Sequence, residues 1–304
     1  MDNVEIIEVS PRDGIQNEEK LLSLQSKEKL IRYAIQAGVR RIEVGSFVNP
    51  QRVPQMADSA ELVALLPRLE EVSYIGLALN RRGFERAVKA GVDEVTFVVV
   101  ASETFNRRNQ GAGTFDTIAD WRDIAAQADG KVDIGIMIGA AFGCPFEGEI
   151  PLARLLKVVE AAAEAGPCEI GLADTIGVAT PPDIKERVGA VKALCPGIPV
   201  RLHLHNTRNT GFANAWAGIE AGVTSLDSSF GGVGGCPFAP RATGNIATED
   251  LLYMLDRAGV KTGLDLNIAI EAATWLEGQL EKSAPGLLMK AGPFPPVATV
   301  VAAN

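Results

Sequence analysis

Val200-Arg201-Leu202-His203-Leu204-His205-Asn206 reads as a strand lying between two amphipathic stretches, 181–194 and 209–221, and the second ends in Ala221-Gly222 before another strand at 224–229. Strand, helix, glycine and strand make one crossover unit, since parallel strands need a helix-length return between them. The unit recurs along the chain. Candidate strands fall at 4–9, 40–45, 72–78, 94–100, 132–139, 168–173, 199–204 and 224–229. Helical patterns lie near 26–37, 57–67, 81–90, 114–127, 151–165, 181–194, 209–221 and 247–258, several closed by Ala-Gly as at Ala37-Gly38, Ala90-Gly91 and Ala165-Gly166. Glycine there suits a left-handed helix cap that turns the chain back to the next strand. Eight such units predict an α/β fold, a (β/α)8 TIM barrel. The doubly wound alternative lacks a Gly-x-Gly-x-x-Gly after its first strand. Residues 1–304 are expected to form one barrel domain. From about 263 to 304 the rhythm breaks into a C-terminal extension, a helix near 265–281 and an apolar, proline-containing tail.

Composition narrows the function classes. The 304 residues are 47% hydrophobic, which suffices for a large core, and carry a net charge of −9. An acidic chain without Lys/Arg clusters excludes a phosphate-tracking surface, so no nucleic-acid partner is expected. The four cysteines (Cys144, Cys168, Cys195, Cys236) have no metal-finger spacing and are too few for a disulfide framework. No apolar run approaches the roughly 20 residues of a membrane span. The first strand begins within a few residues of Met1, leaving no room for a leader, so a cytoplasmic location is expected.

The only two histidines, His203 and His205, stand two apart on one strand. Residues at that spacing project to the same face and can chelate one metal ion, although a pair of hydrogen-bonded imidazoles has the same pattern. Their place at the carboxyl end of the seventh strand favours the chelate, because barrels carry their chemistry on that rim. The first strand ends in Ser10-Pro11-Arg12-Asp13-Gly14 on the same rim. Asp13 can complete a metal site and Arg12 can hold an oxyanion, or the two can form a turn or a surface ion pair. Glu43, flanked by Ile42 and Val44, is an acid expected to be buried and to need Arg12 as its partner. Gly231-Gly232-Val233-Gly234-Gly235-Cys236 reads as a tight or mobile loop bringing a thiol over the barrel mouth, and Thr243-Gly244-Asn245 offers an amide oxygen either as a hard-cation ligand or as a helix cap.

Together these segments resemble 3-hydroxy-3-methylglutaryl-CoA lyase. The resemblance is carried by Ser10-Pro11-Arg12-Asp13-Gly14-Ile15-Gln16-Asn17-Glu18, Glu43-Val44-Gly45-Ser46-Phe47-Val48-Asn49-Pro50, Ala173-Asp174-Thr175-Ile176-Gly177, His203-Leu204-His205-Asn206-Thr207 and Gly234-Gly235-Cys236-Pro237-Phe238-Ala239 through Asp250. It implies a divalent cation, Mg²⁺ or Mn²⁺, held by Asp13, His203, His205 and Asn245. It also implies Arg12 at the enolate oxygen, Cys236 in proton transfer, Glu43 supporting Arg12, and Ser46, Asp174 and Thr175 at the substrate. The implied reaction is retro-Claisen cleavage of a CoA thioester to acetyl-CoA and acetoacetate, a step of leucine degradation, by a homodimer or larger homo-oligomer without a redox cofactor. The chain departs from the family at Asn206, Arg208 and Arg241, which predicts a more positive mouth and puts the acyl end of the substrate in question. Asn106, Arg107, Arg108 and Asn109 are polar enough to meet CoA or to be ordinary loop residues.

Overall fold

In the computed structural model, which describes residues 4–128, 130–235 and 244–295, eight parallel strands close on themselves. They are β1 (Glu5–Glu8), β2 (Arg41–Ser46), β3 (Ser73–Ala78), β4 (Glu94–Val100), β5 (Asp133–Gly139), β8 (Ile170–Asp174), β9 (Val200–Leu204) and β10 (Ser225–Ser228). Each pairs with its sequence neighbour in the ring, and β10 returns to β1 with Glu5 opposite Ser225 and Glu8 opposite Ser228. Between β5 and β8 a two-residue antiparallel ribbon, β6 (Gly143–Cys144) with β7 (Gly148–Glu149), decorates the rim. All eight expected strands form, their ends within two residues of expectation.

The crossover helices include α1 (Leu24–Gln36), α2 (Ser59–Leu65), α3 (Arg81–Ala90), α5 (Thr114–Ala128), α6 (Leu152–Ala163), α7 (Pro181–Leu194) and α8 (Gly211–Glu220). Local signals start and stop them. The Asn80 side chain accepts from Gly83 N at 2.9 Å to open α3, and Gly91 at φ 85° ends it. Such a cap satisfies terminal backbone groups that would otherwise face an apolar floor. Trp121 on α5 is fully buried and its indole nitrogen donates to Ala162 O at 2.9 Å, locking α5 to α6.

Two α-helices are absent from the sequence expectation, a short one near the end of the described chain and one on the rim. α4 (Glu103–Gln110) follows β4, opened by the Ser102 hydroxyl accepting from Phe105 N at 3.1 Å and closed by Gly111 at φ 79°. It is polar apart from Phe105, so it shows no periodic apolar stripe to read. After the last strand come α9 (Thr248–Arg257), α10 (Leu266–Leu280) and the short α11 (Leu288–Ala291). α10 packs against α1 and α9 rather than standing free, and Gly286 N donates to Gly231 O at 2.8 Å. The apolar tail from Pro296 to Ala302 lies outside the described residues.

The lumen is polar at its floor. From β2, Arg41 crosses the barrel to meet Glu94 at 2.8 Å and Glu169 at 3.1 Å, and Ser225 Oγ donates to Glu169 at 2.6 Å. Bonds between strands that are not neighbours are possible only through the interior, so these side chains fix which alternate positions face inward. Above them Gly171 leaves room for Met137: a Cβ at 171 would stand 2.5 Å from its sulfur.

Replacing Arg41 with Met should lower the unfolding free energy by about 3–5 kcal/mol, because two buried carboxylates lose their partner. Glu94 titrates above its ordinary value in the folded chain, burial outweighing Arg41. The folded state therefore binds the extra proton, and with Arg41 gone that preference grows. The loss measured by urea unfolding should shrink as pH falls; a pH-independent difference would contradict this account of the floor.

Candidate active site

Val9 ends β1, and the chain tightens into a single wide turn, Ser10–Gly14, that aims Arg12 and Asp13 over the barrel mouth. Gly14 is required there, since a Cβ would lie 2.7 Å from Ser229 Oγ. The Arg12 guanidinium donates to Asp13 Oδ1 at 2.7 Å and to Glu43 Oε2 at 2.6 Å. Glu43 is 1% exposed on β2, so the expected buried acid and its cationic partner are both found.

His203 and His205 project from β9 and its end on the same face, their Nε2 atoms 3.2 Å apart. Asp13 Oδ2 is 3.8 Å from His203 Nε2, and the ligand atoms of Asp13, His203 and His205 all lie within 4.8 Å of one another. Asn245 is fastened to this strand end by a bridge to His205 and by Ile246 N donating to Leu204 O at 3.2 Å. Its amide nitrogen donates to Asp13 Oδ2 at 2.8 Å, while its oxygen is buried with no hydrogen-bond partner among the described residues.

The electrostatics fit a divalent cation. Burial by itself raises the Asp13 carboxyl, but Arg12, then the two imidazoles, outweigh it and hold the group well below the usual carboxylate range. Burial and the neighbouring His203 push His205 down to about 4, so its lone pair is free at neutral pH. Burial also lowers His203, yet its bond to Asp227 and the charge on Asp13 prevail and raise it. Among the described residues, the carboxylates inside the barrel include those of Asp13, Glu43, Glu94, Glu169 and Asp227, with Glu5 beside Arg41, against the guanidiniums of Arg12, Arg41 and Arg201. At the mouth Arg12 is divided between Asp13 and Glu43, which leaves one carboxylate in excess there, and the carboxylate and imidazole donors suit a divalent cation.

The cluster opens on a cavity of about 640 Å³, within the usual range for small-molecule sites. Thr175 lines it, its hydroxyl accepting from Ala140 N at 2.9 Å. Asp174 and Ser46 are buried outside that lining. Both Asp174 oxygens accept backbone N–H groups, from Val178 at 2.9 Å and Ala179 at 3.0 Å, so this carboxylate holds the loop after β8. The Ser46 hydroxyl is buried without a partner among the described residues. Arg208 donates to Ile176 O at 2.8 Å and Gly177 O at 2.9 Å, which commits it to the same loop instead of the cavity. Arg108 and Asn109 reach the cavity, whereas Asn106 is fully buried and bonds Ala112 O and Thr117. Cys236 and Arg241 lie outside the described residues.

A family model described as HMGL-like matches residues 3–275. The chain belongs to the HMGL-like family. The (R)-citramalyl-CoA lyase of Chloroflexus aurantiacus is 42% identical over 97% of each chain. The hydroxymethylglutaryl-CoA lyase YngG of Bacillus subtilis is 36% identical over 93% of this chain and 95% of that protein. An HMG-CoA lyase from Acinetobacter baumannii, solved with coenzyme A and 3-methylmalate, superimposes with a TM-score of 0.94 at 38% identity, covering 97% of each chain. As a member of the HMGL-like family, the chain is a carbon–carbon lyase. No helix among the described residues is long and apolar enough to cross a membrane.

Two residues of this site have no place in the sequence expectation: Asp227, bonded to His203, and Arg201, bonded to Asp227. A charged residue inside the strand Ser225-Leu226-Asp227-Ser228, and an arginine two before His203, were the available signals. Mn²⁺ binding measured by calorimetry should strengthen with pH through the imidazole range, since each bound proton blocks a ligand. Asp13→Ala should weaken it by at least about 10–100-fold. Unaltered affinity in that variant would exclude Asp13 as a ligand.

Proposed function

We propose that the chain cleaves 3-hydroxy-3-methylglutaryl-CoA to acetyl-CoA and acetoacetate, with Mg²⁺ or Mn²⁺ held by Asp13, His203, His205 and Asn245. The observation that carries the reading is the convergence of Asp13, His203 and His205 beside a guanidinium held between two carboxylates at the mouth of the cavity. Breaking the C2–C3 bond requires loss of the tertiary hydroxyl proton while negative charge develops on the thioester carbonyl. When bound, the cation supplies acidification and orientation of that hydroxyl.

The remaining work belongs to side chains. Arg12 presents a fixed fork of donors near the cluster and stabilises the enolate oxygen as charge appears. Glu43 and Asp13 keep that fork from rotating, each occupying one of its terminal nitrogens. Cys236 returns a proton to the acetyl carbon, which turns the enolate into acetyl-CoA. Thr175, on the lining, orients the acyl part, with Ser46 and Asp174 shaping the wall behind it. Arg108 and Asn109 at the mouth meet the CoA portion.

A second reading follows from the similarity to the (R)-citramalyl-CoA lyase. Citramalyl-CoA has the same carbinol and thioester but one methylene fewer before its carboxylate, and the same cleavage would give pyruvate. Incubation with each thioester separates the two: acetoacetate from the methylglutaryl compound supports the first, and turnover of citramalyl-CoA alone removes it. Arg12→Met should lower kcat by about 10²–10³-fold with the active thioester. Cys236→Ser should lose turnover while Mn²⁺ affinity stays unchanged; full activity would take the thiol out of the proton transfer.

A further inference from the structure

Asp227, 2% exposed on β10, has both carboxylate oxygens engaged inside the barrel. Oδ2 stands 2.9 Å from His203 Nδ1, and Oδ1 accepts from Arg201 Nε at 2.5 Å. Arg201, also 2% exposed, places a terminal nitrogen 3.8 Å from Glu169, which Arg41 grips from the floor. An ionised carboxylate can only accept hydrogen bonds, so Nδ1 carries a proton, and in the neutral ring Nε2 then presents its lone pair. That lone-pair nitrogen is the one facing Asp13 and His205. The buried Arg201 guanidinium supplies the counter-charge that the Asp227 carboxylate needs inside the barrel.

The second imidazole is held differently. His205 Nδ1 is buried with no hydrogen-bond partner among the described residues. The two histidines that look equivalent in the sequence are therefore unequal, one braced through a chain of charges to the barrel floor and the other placed by packing, by its strand and by the 3.2 Å contact of its Nε2 with His203.

We propose that Asp227 is a positioning residue for the cation site, fixing His203 as its Nδ1–H tautomer, with Arg201 aiming the carboxylate from below. Second partners of this kind set the tautomer, ring orientation and basicity of a ligating imidazole. The proposal takes from the proposed function only that His203 ligates a cation, and it concerns residues that none of the family motifs quoted above contains.

The test uses the full chain and two readouts that do not require turnover. With only two histidines in the sequence, selective ¹⁵N-imidazole labelling gives two resolvable rings. Above the imidazole titration the metal-free protein should show one ring wholly in the Nδ1–H form, and Asp227→Ala should convert that ring to a tautomer mixture. Calorimetric Mn²⁺ affinity should fall about 10–100-fold in Asp227→Ala, less in Asp227→Asn, and recover in part in Asp227→Glu. Because Asp227→Ala leaves Arg201 buried and unpaired, Arg201→Met/Asp227→Asn serves as the companion variant. It should regain folding stability but not affinity. Wild-type Mn²⁺ affinity in that folded double variant, or an unchanged tautomer in Asp227→Ala, overturns the proposal. Failure of the wild-type protein to bind Mn²⁺ would instead overturn the cation site, and the tautomer measurement would still decide the role of Asp227.

Discussion

Carboxylates outnumber guanidiniums inside the closed barrel, and the rest of the site depends on how that imbalance is arranged. Buried charge is tolerated only when it is paired and hydrogen-bonded. At the floor the pairing is internal, Arg41 being shared between Glu94 and Glu169. At the mouth it is left unfinished. Arg12 is already divided between Asp13 and Glu43, so the second oxygen of Asp13, the facing imidazole nitrogens and the Asn245 oxygen have a common need for positive charge. The fold thus leaves these open ligand atoms on the rim where substrate enters.

Strand order gives the cavity two unlike sides. β9, β10 and the ends of β1 and β2 contribute Arg201, His203, His205, Asp227, Asp13, Arg12 and Glu43. The wall from β3 to β8 supplies Leu77, Val98, Val100, Met137, Gly139 and Ala173. An apolar wall opposite fixed charges lowers the local dielectric, which strengthens the interaction of Arg12 with a developing oxyanion. The same wall offers hydrocarbon contact to a methyl-bearing acyl group, so the division matches a substrate with one polar and one apolar side.

What could be read from sequence follows a physical division. The eight strands and most helices were legible because short apolar runs and Ala-Gly endings repeat, and each repeat is a local signal. His203 and His205 were legible because their spacing itself encodes a shared face. α4 was not, since a helix bearing one apolar residue is stabilised by its Ser102 cap and by tertiary contacts, neither of which leaves periodicity. Asp227 was hidden for a related reason: its importance lies in a partner on another strand, reached across the ladder. Arg208 keeps its charge near the mouth, but its hydrogen bonds to two loop carbonyls make it a support of the loop after β8 and not part of the cavity lining, which its position in the sequence did not reveal.

The same reasoning explains why reaction class is easier to read here than the acyl chain. Lyases for two different thioesters are 42% and 36% identical to this chain, and the substrates they are named for share the carbinol next to the bond that breaks. Groups that act on that bond are few, charged and fixed in spacing. A single methylene farther along the acyl chain changes binding by only about 1–3 kcal/mol when judged by apolar contact alone. Stronger discrimination requires a buried polar group whose partner would be missing in the wrong substrate. Thr96 meets that description within the lining: it is 3% exposed and its hydroxyl has no hydrogen-bond partner among the described residues. An unpaired hydroxyl at that position on the wall would favour an acyl end that can reach it.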